Sequence, residues 1–252
     1  MLGGSLAVVA ATVSAVPAGA QVAKWPVHSL ERPAPPVVQP APADRPAEPP
    51  ADAVVLFGGN GLGEWARPDG GAAPWRDTAE FMEVVPGSGP IVSRRAFRSS
   101  QVHVEWMAPL PAEGEGQDRG NSGVFLMNRY EIQVLDSWQN PTYADGQAGA
   151  VYGQYPPLVN ASRAPGEWQS YHIIFHRPRF DESGAVETPA RITLFHNGVL
   201  VQDNVTLTGP VGHGARPPYE AHADRLPLGL QDHGRKVRFR NVWVRELPER
   251  GE

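Results

Sequence analysis

The sequence predicts an all-β domain, a sandwich of two antiparallel sheets, over residues 52–247. Three observations lead there. Short runs rich in Val, Ile, Phe, Tyr and Trp alternate with Gly, Pro, Asn and Asp, as in sandwiches. No stretch of this region sustains a helical period. Asn197-Gly198 stands between two such runs and supplies the two positive-φ residues of a type I′ hairpin turn, joining "RITLF" to "VLVQD".

From the beginning of the chain, residues 1–20 form a short apolar run that ends in Ala18-Gly19-Ala20, the small-x-small pattern that signal peptidase accepts. A secretory signal cleaved after Ala20 is expected, although no Lys or Arg precedes the apolar stretch and a buried helix is the alternative. The Ala/Gly content and Pro17 argue against a membrane span. The chain has no cysteine, hence no lipid-anchored Cys and no disulfide framework. A bacterial protein that is periplasmic or secreted, with no membrane span after signal cleavage, follows as the expectation. Residues 21–51 are dominated by Pro and Ala and read as a linker or disordered segment, because that composition cannot bury enough surface to fold by itself.

The chain has 252 residues, 41% of them hydrophobic, enough for one sizeable core and too few for two large ones. Its formal net charge of −5 gives no reason to expect nucleic acid as a partner. The basic run from His233 to Arg240 alternates like a strand with one solvated face. Strands are expected in "QVHVEWMA" (101–108), "SGVFLMN" (122–128), "YEIQVLD" (130–136), "WQSYHIIFHRP" (168–178), "ARITLFHNGVLVQD" (190–203), "LPLGLQD" (226–232) and "VRFRNVWVREL" (237–247), with 248–252 as a tail. The connections 111–120 and 209–225 exceed hairpin length and are candidates for the rim of a site.

The run 130–136 carries polar groups where a core strand would not. Alternation sets Glu131, Gln133 and Leu135 on one face and Tyr130, Ile132 and Val134 on the other. A bulge after Val134 would bring Asp136 onto the polar face, giving the spacing E-x-Q-x-x-D. Laminarinase-type glucanases carry a similar E-x-D-x-x-E strand on the concave sheet of a jelly roll. The Gln and the final Asp here weaken a mechanism that needs two carboxylates at a set separation. A solvated outer face is the plain alternative.

Six stretches in order carry a more specific resemblance: "VLFGGNGLGEW" (55–65), "GNSGVFLMNRYEIQVLDSW" (120–138), "GAVYGQYPP" (149–157), "PGEWQSYHIIF" (165–175), "LFHNGVLV" (194–201) and "GLQDHGRKVRFRNVWVREL" (229–247). Together they resemble the 3-keto-disaccharide hydrolase family, also described as 3-keto-glucoside 1,2-lyase and 3-keto-2-hydroxy-glucal hydratase. The resemblance implies a concanavalin-like jelly roll and an enzyme that cleaves 3-keto-glycosides, hydrates the resulting glucal, or both. Oxidation at C3 acidifies the C2 proton, because the carbanion is an enolate, and the C1 oxygen is then a β leaving group. Such a site needs one base near C2, donors for the enolate oxygen and an acid for the leaving group, with no strict carboxylate pair. A separate sugar dehydrogenase is implied as the source of the oxidised substrate.

Candidate catalytic residues are Glu131, His233 and Asp136. The base is Glu131 or His233, with Glu131 preferred; His233 is otherwise a turn residue or an acid. Asp136 either enters the cleft or caps the turn before Trp138. Gln133, Gln231 and Asp232 are candidates for binding sugar hydroxyls, Asn121 and Ser122 for orienting substrate, Arg119 for polarising the keto oxygen, and Tyr152 and Trp138 for stacking on the ring. Trp65, Trp106, Trp168 and Trp243 are assigned to the core. No cofactor is required by the sequence, and no spacing demands a divalent metal, for which Glu131, Asp136 or His233 would be the ligands. His172 and His176 share a strand face but do not suggest a metal pair. A non-catalytic carbohydrate-binding module of the same fold is the main alternative function, and a cell-envelope interaction protein a third.

Overall fold

The structure is a computed structural model that describes residues 24–41 and 48–249. The expected signal at 1–20, residues 21–23 and 42–47 of the expected linker, and 250–252 of the tail lie outside the described residues.

Two antiparallel sheets form the jelly roll, as the alternation predicts. The larger has eight strands in the spatial order β13 (Val199–Thr206), β12 (Arg191–His196), β9 (Gln169–His176), β6 (Ser100–Met107), β15 (Arg238–Glu246), β4 (Met82–Glu83) and β3 (Arg76–Asp77), with β1 (Val54–Phe57) also paired to β15. The smaller runs β2 (Trp65–Ala66), β5 (Ile91–Phe97), β14 (Leu226–Leu230), β7 (Ser122–Leu126) and β8 (Tyr130–Val134). A separate ribbon pairs β10 (Arg179–Phe180) with β11 (Val186–Thr188). Among the described residues no helix is long and apolar enough to cross a membrane.

Period-two burial builds the core. Tyr171, Ile173 and Phe175 of β9, Ile192 and Leu194 of β12, and Val102, Val104 and Trp106 of β6 face inward from the larger sheet. Tyr130, Ile132 and Val134 of β8 meet them from the smaller one. Trp65, Trp106 and Trp243 are buried, as expected of core residues, whereas Trp168 is half-buried and carries the Arg240 guanidinium over its ring at 4.1 Å. Hydrogen bonds also tie the two sheets, among them that from the Tyr171 hydroxyl to the Gln133 carbonyl at 2.6 Å and that from Trp65 Nε1 to the Leu56 carbonyl at 3.0 Å.

The expected hairpin is present. His196 pairs with Val199, leaving Asn197 (φ 53°) and Gly198 (φ 80°) as the two-residue loop. Asn197 does more than turn the chain, because its buried amide accepts from Ser170 N–H at 2.8 Å and donates to the Ala161 carbonyl at 2.8 Å and the Gln169 side chain at 2.6 Å.

Residues 24–41, inside the span expected to be a spacer, lie along the domain. Val37 bridges to Asn160, with Val38 N–H donating to the Asn160 carbonyl at 2.9 Å and Asn160 N–H to the Pro36 carbonyl at 2.8 Å. Arg163 reaches the Ala41 carbonyl at 2.6 Å. The physical reason is that an extended Pro-rich chain offers unpaired carbonyls, so it can dock on a folded surface without any core of its own.

Replacing Asn197 with Ala removes both the left-handed preference and the buried amide. The variant should lose about 2 kcal/mol of stability, read as a lower urea midpoint with an unchanged m value.

Candidate active site

Strand β8 is buried on both faces. Its outward side chains Glu131 and Gln133 are 5% and 1% exposed, because loops roof them rather than solvent. Its free edge is closed as well: Gln133 N–H donates to the Ala150 carbonyl at 3.0 Å, Gly149 N–H to the Gln133 carbonyl at 3.0 Å, and Tyr152 N–H to the Glu131 carbonyl at 3.2 Å. Under this roof lies a cavity of about 220 Å³ lined by Glu131, Gln133, Asn121, Phe125, Tyr152, Gln231, His233 and the turn Val211–His213. Two larger depressions, of about 430 and 620 Å³, share Met107 and Arg238. Key arginines there are already paired, Arg238 with Glu83 at 2.6 Å and Arg240 with Glu105 at 2.7 Å. Burial pushes the Glu105 carboxyl up, but hydrogen bonds from His103, Asn241 and Arg240 outweigh it and hold it at about 2, so Glu105 is a structural anion.

Glu131 is the opposite case. Burial alone pushes its carboxyl up to about 8, and among the described residues no hydrogen bond or ion pair reaches it. Room for that carboxyl comes from Gly123 on the neighbouring strand, where a Cβ would clash with Glu131 Oε1 and stand 2.7 Å from Phe125 Cε2. The other cavity groups are neutral amides held in defined poses. Gln133 Nε2 donates to the side chains of Gln117 and Asn121, each at 3.3 Å, and Asn121 Nδ2 donates to the Gln117 carbonyl at 2.7 Å. Among the described residues Gln231 Oε1 is buried without a partner, an acceptor available to a ligand hydroxyl. The Tyr152 hydroxyl shares a 2.9 Å hydrogen bond with Tyr143. Burial first, then this contact and the nearby carboxylates, raises the Tyr143 hydroxyl; burial likewise raises Tyr152, so both stay protonated donors. His213 and His233 are exposed at the mouth.

Of the residues singled out in the sequence, Glu131, Gln133, Asn121, Tyr152, Gln231 and His233 come together around this cavity. Asp136, Arg119, Trp138, Ser122 and Asp232 do not line it. Strand β8 ends at Val134, and Asp136 turns into an ion pair with Arg119 (2.9 Å) while accepting the Trp138 N–H at 3.1 Å. Arg119 also donates to the Trp138 carbonyl, so neither charge is free for a substrate. Ser122 donates to the Gln231 carbonyl at 2.6 Å, which fixes the 229–234 loop to β7. Asp232 accepts from the N–H groups of Gly89 (2.9 Å) and Gly234 (2.8 Å) and shapes that loop. Phe125, His213, Gln117 and Tyr143 went unnoticed in the sequence. Only His213 had a signal, its place in the long 209–225 connection. Among the described residues no group of three or more His, Asp or Glu side chains is placed to hold a metal ion.

The model of the family described as "3-keto-alpha-glucoside-1,2-lyase-like domain" matches residues 52–245. Among solved structures, a candidate glycosyl hydrolase from Parabacteroides distasonis ATCC 8503 is 42% identical, with a TM-score of 0.78 over 86% of this chain and 93% of its own. A second candidate glycosyl hydrolase from the same organism shares the fold at 18% identity, with a TM-score of 0.57 over 78% of this chain and 94% of its own. No curated protein matches the chain.

A carboxyl raised by folding makes stability fall as pH rises. The folded state holds the Glu131 proton up to about pH 8, while the unfolded chain releases it near 4.5, so the cost appears between those values. Glu131→Gln should therefore match the wild type near pH 4 and be more stable by roughly 4 kcal/mol at pH 8, measured by urea unfolding across that range. Gly123→Ala should displace the Glu131 carboxyl and cost about 2 kcal/mol, with a loss of cavity visible in a crystal structure.

Proposed function

We propose, since the chain belongs to the 3-keto-alpha-glucoside-1,2-lyase-like family, that it cleaves 3-keto-glycosides by taking the C2 proton and expelling the C1 substituent. The observation that carries this reading is the buried Glu131 carboxyl, ungripped by any hydrogen bond and set on the wall of a cavity otherwise lined by neutral groups. A carboxylate that needs little energy to release its partners, and whose proton affinity is raised by burial, is a stronger base toward a carbon acid than an ordinary surface Glu. Roughly a tenth of it is ionised at neutral pH, a modest sacrifice for the gain in basicity.

The step conserves its atoms. The C2–H bond breaks toward Glu131, its electrons form the C1=C2 bond through the enolate, the C1–O bond breaks, and the departing oxygen takes a proton from an acid. His233 or His213 at the mouth suits that acid, because the leaving group would point outward while the oxidised ring occupies the floor. Gln133, Asn121 and Gln231 suit the ring hydroxyls, and the Tyr152 hydroxyl suits the oxygen that gains charge at C3. Hydration of the enone would run the same proton transfer in reverse, with water adding at C1 and Glu131 returning a proton to C2. A separate sugar dehydrogenase would supply the substrate, and both would act outside the cytoplasm if the 1–20 segment is an export signal.

Purified protein should release aglycone from 4-nitrophenyl 3-keto-glucosides, leaving the 2-hydroxy-glucal enone, which has no hydrogen at C2, or, once that is hydrated in deuterated water, a 3-keto sugar that carries deuterium at C2. A 3-keto sugar formed with no enone and with no C2 label above the enzyme-free control would mean direct hydrolysis, and sugar binding without turnover would mean a binding module. With that leaving group, which needs no acid, kcat/KM should rise with pH and reach half its maximum near pH 8, because the base must be ionised in the free enzyme. Glu131→Gln should lower kcat by about a thousandfold; near wild-type turnover removes Glu131 as the base.

A further inference from the structure

The docked N-terminal segment runs directly behind the cavity. At its centre His28 adopts φ 59°, a left-handed conformation that a non-glycine residue holds only when its surroundings impose it. Its main-chain N–H donates to the fully buried Asp145 carboxylate at 3.3 Å. Arg32 and Arg216 flank the same carboxylate at 3.9 and 4.0 Å. Arg216 also clamps the segment to the loop behind the site, donating to the Trp25 carbonyl at 3.2 Å and to the Gly153 carbonyl at 2.8 Å. Arg32 adds a bond to the Gln154 carbonyl at 3.3 Å.

So held, the His28 imidazole packs on three rings. It stacks on Tyr143 with centroids 4.1 Å apart and planes 18° apart, and it meets Tyr152 edge-on at 5.0 Å and His213 at 5.8 Å. Tyr152 and His213 line the cavity, and Tyr143 reaches it through its hydrogen bond to Tyr152. The imidazole Nε2 is buried and has no hydrogen-bond partner among the described residues, so within these it is packing on the three rings that seats the imidazole.

We propose that the segment from Trp25 to Arg32 is a built-in wall of the active site and that His28 is a positioning residue, its ring setting the Tyr143–Tyr152 pair and His213 against the cavity. The kinetic part rests on the reading of this cavity as the site of 3-keto-glycoside cleavage. Without the ring, Tyr143 loses its stacking partner and Tyr152 a neighbouring ring, and the hydroxyl aimed at the developing oxyanion is no longer held in one pose.

Three full-length proteins decide the matter: wild type, His28→Ala and His28→Phe, which keeps a stacking ring but no nitrogen. Hydrogen exchange on the free proteins needs no substrate. His28→Ala should raise exchange of the amides of 143–153 by about tenfold while β5 stays protected, and His28→Phe should restore the wild-type pattern. In turnover of 4-nitrophenyl 3-keto-glucoside, His28→Ala should lose about 10- to 100-fold in kcat with KM within about threefold, and His28→Phe should recover most of it. An unchanged kcat in His28→Ala, or a His28→Phe as impaired as His28→Ala, overturns the positioning role. Exchange that rises equally in β5 marks a residue of general stability and overturns it too. If wild type itself cleaves no 3-keto-glycoside, the reading of the reaction fails, and the exchange pattern alone then upholds or overturns the wall.

Discussion

Strand β8 has no wet side, and much of the site follows from that constraint. Tyr130, Ile132 and Val134 are sealed in the core, while Glu131 and Gln133 are sealed under loops, and both edges of the strand are paired. Every polar group on such a strand must find its partner within the protein or cost free energy. Gln133 does so at several points: its side-chain N–H groups donate to Gln117 and Asn121, and its main-chain carbonyl takes both Gly149 N–H and the Tyr171 hydroxyl from the opposite sheet. Glu131 does not. One strand thus carries, two residues apart, a side chain tied down from several directions and a side chain tied down from none.

That contrast separates scaffold from chemistry across the whole molecule. The paired carboxylates, Glu105 with Arg240 and Asp136 with Arg119, are locked into ion pairs and hold loops and sheet together. Glu131, whose charge burial opposes, is a carboxyl that faces the cavity. Perturbation by burial, without a counterion, is the pattern that acid–base sites tend to show.

Alternation made the sandwich, the 197–198 hairpin and the polar face of β8 legible, because period-two burial depends only on local order. It could not show where the strand stops. Asp136 looked like a third polar group on one face, but β8 ends at Val134, and an arginine seventeen positions earlier in the chain decides where the aspartate turns. Trp168 was hidden for a related reason: half-buried under Arg240, it owes its environment to β15, seventy residues away in a different strand. His213 sits in a connection with no period to read. The docking of 24–41 was not legible, because composition reports whether a stretch can form a core, and says nothing about whether it can lie against someone else's.

The bond from Arg216 to Trp25 spans 191 positions of sequence. A chain made from its N-terminus presents Trp25 and His28 among the first segments and Arg216 among the last, after most of both sheets. The clamp that Arg216 places on the wall behind the cavity therefore closes only when the loop after β13 exists, and long-range closures of this kind come late and slowly. A half-made molecule has its strands before it has a finished cavity.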